Sequence, residues 1–388
     1  MNNIVDIMIG ITRTQICGAE RVPFGTLTEE ELSVLYALSK VQDLAHIVAA
    51  ELQQQGLLRK NHEICDKFRK QQMIAVLRYE RIRYELEQIC GVLEQEQIPH
   101  MPLKGSVLRQ YYPEPWMRTS ADIDILVRPE QMNVAAELLV KALNYRNDGV
   151  KDHDIQMFSP SGVHLELHFE TVEPHCAVNA NEVLKSIWEY AIPVEDGQCR
   201  CTTKDEMFYF YHVAHMAKHF EIGGCGVRFF LDLWMLQHRV SFDVKKRERL
   251  LEEGGLLTFA NAAQQLAEVW FSGAEHTDMT RQMEQYIVSG GIYGSAENSI
   301  AAKQVKTGGN FGYAMYLVFR PYRELKRQYP VLLKHKWLFP FCQVYRWLTL
   351  LFNGGVKRAF GILKCGSQVA EKRTDTVEAM FQNLELNR

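Results

Sequence analysis

The stretch that most constrains this chain is Ala121 to Val127, "ADIDILV". Apolar residues alternate with two aspartates, the period-2 signature of a β-strand. Successive strand side chains point to opposite faces, so Asp122 and Asp124 project together while Ile123 and Ile125 enter the core. Two carboxylates that close repel, and one takes up a proton unless a cation sits between them. Mg²⁺ is such a cation, hard and bound by oxygen ligands. An isolated D-x-D has a plainer meaning, an edge strand with a solvated acidic face, so the surroundings must decide.

Three neighbours bear on the choice. Ile98 to Leu103 reads as a short strand, and Gly105-Ser106 then opens a short helix ending near Tyr112. Glycine lets the backbone approach a ligand closely, and N–H groups at such a turn suit a phosphate. Second, "DIQMFSPSGVHLELHF" reads as a hairpin, with strands over 155–158 and 163–169. Glu166 lies on its second strand, opposite in facing to Leu165 and Leu167, and meets the two aspartates if the strands are adjacent. His164 and His168 share its face, either near the cleft or as exposed strand residues. Third, Lys104, Arg109 and Arg118 flank the acidic cluster. Cations beside a metal site suit a triphosphate, and the alternative is charge balance on a surface.

These residues form a recognisable pattern. A Gly-Ser pair, an h-D-h-D-h strand and a single carboxylate on a later strand resemble the DNA polymerase β-like nucleotidyltransferase superfamily. "LKG" followed by "RTSADIDILV" is similar to the bacterial group of uncharacterised nucleotidyltransferases, as is "HVAHMAKHF" followed by "VRFFLDL". The resemblance covers roughly residues 70–240 and implies an α+β fold. A polymerase β-like core, a small mixed sheet with helices, would be flanked by N-terminal helices and a C-terminal helical region. It implies two Mg²⁺ ions, with Mn²⁺ as the substitute, held by Asp122, Asp124 and Glu166. Lys104, Gly105, Ser106, Arg109 and Arg118 would contact the nucleotide phosphates. The 15-residue gap between Ser106 and Asp122, with its two prolines, leaves open whether Lys104 or Ser106 takes the phosphate role. His168, His215, Lys218, His219, Arg228 and Asp232 would face substrate. The reaction implied is NMP transfer from an NTP to an unidentified hydroxyl or phosphate acceptor, with pyrophosphate released.

The rest of the chain reads as mostly helical. Thr28 and Glu31 form a capping box at the start of a helix predicted to reach Gln55, before Gly56. A second helix over 63–96 carries Ile82, Leu86, Ile89 and Leu93 as an apolar stripe. His212, His215 and His219 share a face of a later helix, but no carboxylate or cysteine joins them at zinc-ligand spacing. Core and surface packing beside aromatic residues is their plainer meaning. The expected division is an N-terminal helical arm or cap (1–96), a nucleotidyltransferase core with the metal site (97–180), a helical substrate-binding domain (181–305) and a basic, aromatic helical region (306–388).

Bulk properties narrow the class. The net charge of −3 over 388 residues argues against a stable nucleic-acid partner. The nine cysteines are scattered, with one C-x-C and no CxxC pair, as expected for reduced thiols in a cytoplasmic protein. No signal peptide or apolar run of membrane-spanning length is evident. From Val318 to Lys364, ten Lys or Arg stand against one Glu, interleaved with aromatics. That pattern suits an anionic membrane surface or nucleic acid, while the plainer expectation is an amphipathic helix packed on the body. The final "EKRTDTVEAMFQNLELNR" is polar and reads as a fraying end. Two functional alternatives stand beside the transferase: a non-catalytic nucleotide-binding or regulatory module on the same fold, and a membrane-surface or assembly protein acting through the basic region.

Overall fold

The computed structural model describes residues 2–21, 27–151, 153–171, 178–196, 198–352 and 371–386. Four helices lead the chain: α1 (Asn2–Cys17), α2 (Glu29–Val41), α3 (Ala45–Gln54) and α4 (Glu63–Gln95). The capping box at α2 forms, with the Thr28 hydroxyl accepting from the Glu31 N–H at 3.2 Å and Glu31 accepting from the Thr28 N–H at 2.8 Å. The helix expected to run unbroken to Gln55 instead breaks between α2 and α3, where Asp43 takes a left-handed φ of 56°. Its polar neighbour Gln42 is buried there, and its Oε1 accepts from the Val227 N–H at 2.9 Å.

Next come β1 (His100–Pro102), α5 (Gly105–Leu108), β2 (Asp122–Val127), α6 (Met132–Leu143), β3 (Arg146–Val150), β4 (Asp154–Phe158) and β5 (His164–His168). They form one mixed sheet in the order β1-β2-β5-β4-β3. The expected hairpin is β4–β5, antiparallel, with Asp154 opposite His168. β5 then pairs in parallel with β2, so the acidic strand is interior, not an edge. β3 was not evident from the sequence, since all five of its residues are exposed and no apolar alternation marks it.

Ile123, Ile125 and Val127 pack with Leu165 and Leu167 beneath α4 and α6. The stripe Ile82, Leu86, Ile89 and Leu93 supplies the α4 side of that contact. Ile123 and Ile125 are fully buried, each worth roughly 1.5–3 kcal/mol against exposure. A one-residue slip would turn both out and drive the aspartates in, so this face fixes the register. On the opposite face, Leu126 joins a second core. Asp122 and Asp124 therefore lie between two apolar bodies.

That second body is helical. After α7 (Val178–Lys185) and the small β6–β7 ribbon (Ala191–Pro193, Cys201–Thr203) come α8 (Asp205–Ile222) and α9 (Val227–Arg239), then further helices to Thr307. Leu35 of α2 and Phe68 of α4 share one core with Phe210, Phe230, Phe259 and Phe381. The N-terminal helices thus pack into the body of the molecule. The chain's last described helix, Glu371–Asn383, corrects the expected fraying end: Val377, Met380, Phe381 and Leu384 are buried at i, i+3, i+4 and i+7. The polar composition of the segment hides that stripe.

The seven described cysteines are free thiols; Cys176 and Cys365 lie outside the described residues. Among the described residues no helix is long and apolar enough to cross a membrane. Of the basic region 318–364, residues 353–364 lie outside the described residues.

Candidate active site

The parallel pairing of β2 with β5 assembles the acidic centre. Asp124 stands beside Glu166 and Asp122 beside His164 in the strand register. Donor atoms of Asp122, His164 and Glu166 lie within 4.8 Å of one another, as do those of Asp124, Glu166 and His168. Glu166 is common to both groups, which makes it the bridge between the two aspartates. Separation by about 40 residues is overcome because α6 and β3–β4 carry the chain away and back.

Two cations face this centre. Lys104 Nζ lies 2.6 Å from Asp124 Oδ1 and 3.9 Å from Glu166. His168 Nε2 lies 3.0 Å from Asp124 Oδ1 and 3.4 Å from Glu166. Burial alone would raise the Asp124 pKa, but Lys104 and His168 outweigh it and hold the carboxyl well below its usual range. Glu166 is lowered the same way, against its own burial, chiefly by the His168 hydrogen bond. Burial works against a charged His168, yet its bonds to Asp124 and Glu166 lift the ring to about 9. Asp122 differs. Burial and then the Asp124 charge raise its pKa, because the cations sit nearer to Asp124. It is the carboxyl that most lacks a positive partner.

Lys104 reaches Asp124 through an uncommon backbone conformation, φ 47° and ψ −122°. The Ser106 N–H donates to the Leu103 carbonyl at 3.1 Å and closes a tight turn around it. A side chain at such φ and ψ costs roughly 1–3 kcal/mol, strain that clusters at working sites. Gly105 is required by crowding. A Cβ there would meet the Ser120 Cβ at 2.9 Å. The turn and the strand thus lie against each other with no room for a side chain.

Cationic and aromatic side chains share the cavity with the carboxylates. A cavity of about 240 Å³ is lined by the acidic Asp122, Asp124 and Glu166, by Lys104 and Gly105 of the turn, and by Arg118, His215, Lys218, His219 and Arg228. Arg118 and Arg228 are held from behind. Asp232, fully buried on α9, accepts from Arg118 Nε at 2.7 Å and from the Tyr112 hydroxyl at 2.7 Å. Burial would lower the Arg118 pKa, but Asp232 outweighs it and keeps the guanidinium charged. Arg228 pairs with Asp43, which also accepts from the Thr119 hydroxyl at 2.6 Å. Burial opposes the Asp43 charge, and Arg228 restores it, leaving the pKa lowered.

Of the residues read from sequence, Lys104, Gly105, Arg118, Asp122, Asp124, Glu166, His215, Lys218, His219 and Arg228 line this cavity. His168 stands behind the carboxylates. Ser106, Arg109 and Asp232 are not among the lining residues. The Ser106 Oγ is buried with no hydrogen-bond partner among the described residues. Arg109 is buried, donating to the Gly105 carbonyl and to Ser120, and burial lowers its pKa to about 10. The metal-ligating groups found among the described residues do not include His212, His215 or His219. His212 bonds the Phe229 carbonyl at 3.1 Å, tying α8 to α9. Sequence reading missed Asp43, Thr119 and Tyr112. The polar Gln42-Asp43 pair interrupting a helical pattern was the available signal.

Residues 28–272, more than half of the chain, match the model of a family described as uncharacterised nucleotidyltransferases, and the chain belongs to that family. Nucleotidyl transfer is therefore the general chemistry that the family points to. No curated protein matches the chain.

Proposed function

We propose that this chain is a divalent-metal-dependent nucleotidyltransferase that moves the NMP group of an NTP onto a hydroxyl or phosphate acceptor. The observation that carries the reading is the placement of Asp122, Asp124 and Glu166 on adjacent parallel strands, at a cavity also lined by Arg118, Lys218 and Arg228. The donor set fits hard cations. Glu166 shares one ligand cluster with Asp122 and His164 and another with Asp124 and His168, and Asp122 is held back from ionising by burial and by its neighbour's charge, a state that a divalent ion relieves. Mg²⁺ is the expected ion and Mn²⁺ its substitute, since imidazoles stand beside the carboxylates. Two bound ions would supply charge neutralisation at the entering and leaving oxygens of an in-line displacement.

The chain's own residues divide the remaining work. Arg118, Lys218 and Arg228 bind and orient the triphosphate, and Asp232 and Asp43 fix two of those guanidinium groups in place. Preorganised charges of this kind cost no reorganisation as charge shifts toward the leaving pyrophosphate. Glu166 takes the proton of the acceptor hydroxyl as its oxygen bonds to the α-phosphorus and the bond to the bridging oxygen breaks. Protonated His168 backs Glu166 and holds its orientation.

The test is pyrophosphate release from each of the four NTPs with Mg²⁺, across hydroxyl-bearing and phosphorylated small acceptors. Metal-dependent release is expected with at least one pair. NTP binding without release across acceptors would favour the non-catalytic module, and absence of metal-dependent NTP binding by calorimetry would refute both.

A further inference from the structure

We propose that the helical segment 309–352 docks onto an anionic phospholipid surface. The helix Phe339–Phe352 displays an apolar stripe on its exposed side. Phe341, Val344, Tyr345 and Leu348, at i, i+3, i+4 and i+7, are 63%, 48%, 58% and 46% exposed. The side facing the protein buries Cys342 and the polar Gln343 instead. A helix that seats Phe339, Cys342 and Gln343 and displays a wider apolar stripe outward has an unfilled partner. The exposed patch continues through Trp337, 68% exposed, whose ring lies 6.1 Å from that of Phe341, and through Leu333, 63% exposed. Beneath it, the local core consists of Leu325, Leu332 and Cys342 with a few half-buried rings.

Charge names the occupant. Residues 309–352 carry seven Lys or Arg against one Glu, in a chain whose net charge is −3. Lys334 and Lys336 are exposed and alternate with the exposed Leu333 and Trp337. Apolar side chains that enter the acyl boundary, with lysines at headgroup level, make an interfacial anchor. A second copy of the chain would bring the same positive patch against itself. Residues 353–370 carry two lysines, one arginine and no acid, so they offer no opposite charge either. Nucleic acid would use the cations and rings but leave Leu333, Val344 and Leu348 without a partner.

The inference is independent of the transferase reading, and its test separates the two. Full-length protein is sedimented with vesicles of phosphatidylcholine alone and of phosphatidylcholine mixed with phosphatidylglycerol. Binding is expected to the mixed vesicles only and to weaken with salt. The double variant Lys334→Gln/Lys336→Gln should partition roughly thirtyfold more weakly. Phe341→Ala/Leu348→Ala should also release the protein, while NTP binding at the cavity stays at the wild-type level in both. Equal failure to bind either vesicle overturns the proposal. So does a dimer by light scattering that Phe341→Ala/Leu348→Ala dissociates, or tighter binding to RNA than to mixed vesicles. A circular-dichroism melt of each variant guards against misfolding, and the salt dependence of the wild type stands as a test without any variant.

Discussion

Replacing Asp124 with asparagine keeps the side-chain shape and removes one charge from the centre of the site. The wild-type carboxylate is 3% exposed and takes Lys104 at 2.6 Å and His168 at 3.0 Å. His168 is lifted from 6.5 to about 9 against its own burial, a rise that corresponds to roughly 3 kcal/mol. Asp124 is the nearer of its two carboxylate partners, so Asp124→Asn should forfeit most of that and leave Lys104 facing a neutral amide. Metal-free stability near neutrality should fall by about 2–3 kcal/mol. A raised histidine stabilises fully below its ordinary pKa of about 6.5 and loses that contribution as pH rises through about 9. The gap between wild type and variant should therefore be widest near pH 6 and narrow toward pH 10, roughly. With metal and NTP present, transfer should drop by about a thousandfold or more, since a preorganised charge at the reacting centre is lost. Urea melts in chelator at both pH values give the stability arm, and pyrophosphate release gives the activity arm. A stability gap that does not change with pH refutes the electrostatic account. Full transfer activity in the variant refutes the placement of the metal.

Other outcomes follow from the second row of side chains. Asp232→Asn leaves the Arg118 guanidinium buried against a neutral partner, and should cost about 3–5 kcal/mol in the denaturant midpoint. Asp43→Asn should spare the fold more, since Asp43 is partly exposed, yet weaken NTP binding by about tenfold in calorimetry by loosening Arg228. An unchanged affinity would mean that Arg228 does not touch the nucleotide. Gly105→Ala places a methyl group against Ser120 and should cost about 1–3 kcal/mol, read as a lower melting temperature with reduced metal affinity.

The acidic strand was legible in the sequence because strand alternation and charge cost act together: Ile123 and Ile125 had to be inside, so Asp122 and Asp124 had to share a face. The hairpin carrying Glu166 was legible for the same reason, through Leu165 and Leu167. That β5 would pair with β2, and in parallel, follows from the sheet order, which local pattern does not encode. The exposed β3 has no alternation to find. Asp232 illustrates a different limit. The resemblance put it among the residues facing substrate, and only packing shows that it sits behind Arg118 and is not among the lining residues. The last helix was misread because its four buried side chains are spaced among charges that face solvent.

The clamp of Asp43, Thr119 and Arg228 joins three stretches that are far apart along the chain, and Tyr293 closes the same cavity from further still. During synthesis, an emerging polypeptide has its carboxylate strands and Arg118 long before it has Lys218, Arg228 and Tyr293, which complete the cavity. The site is thus incomplete until roughly three quarters of the chain has been made, and the core around it closes later still, since Phe381 belongs to it.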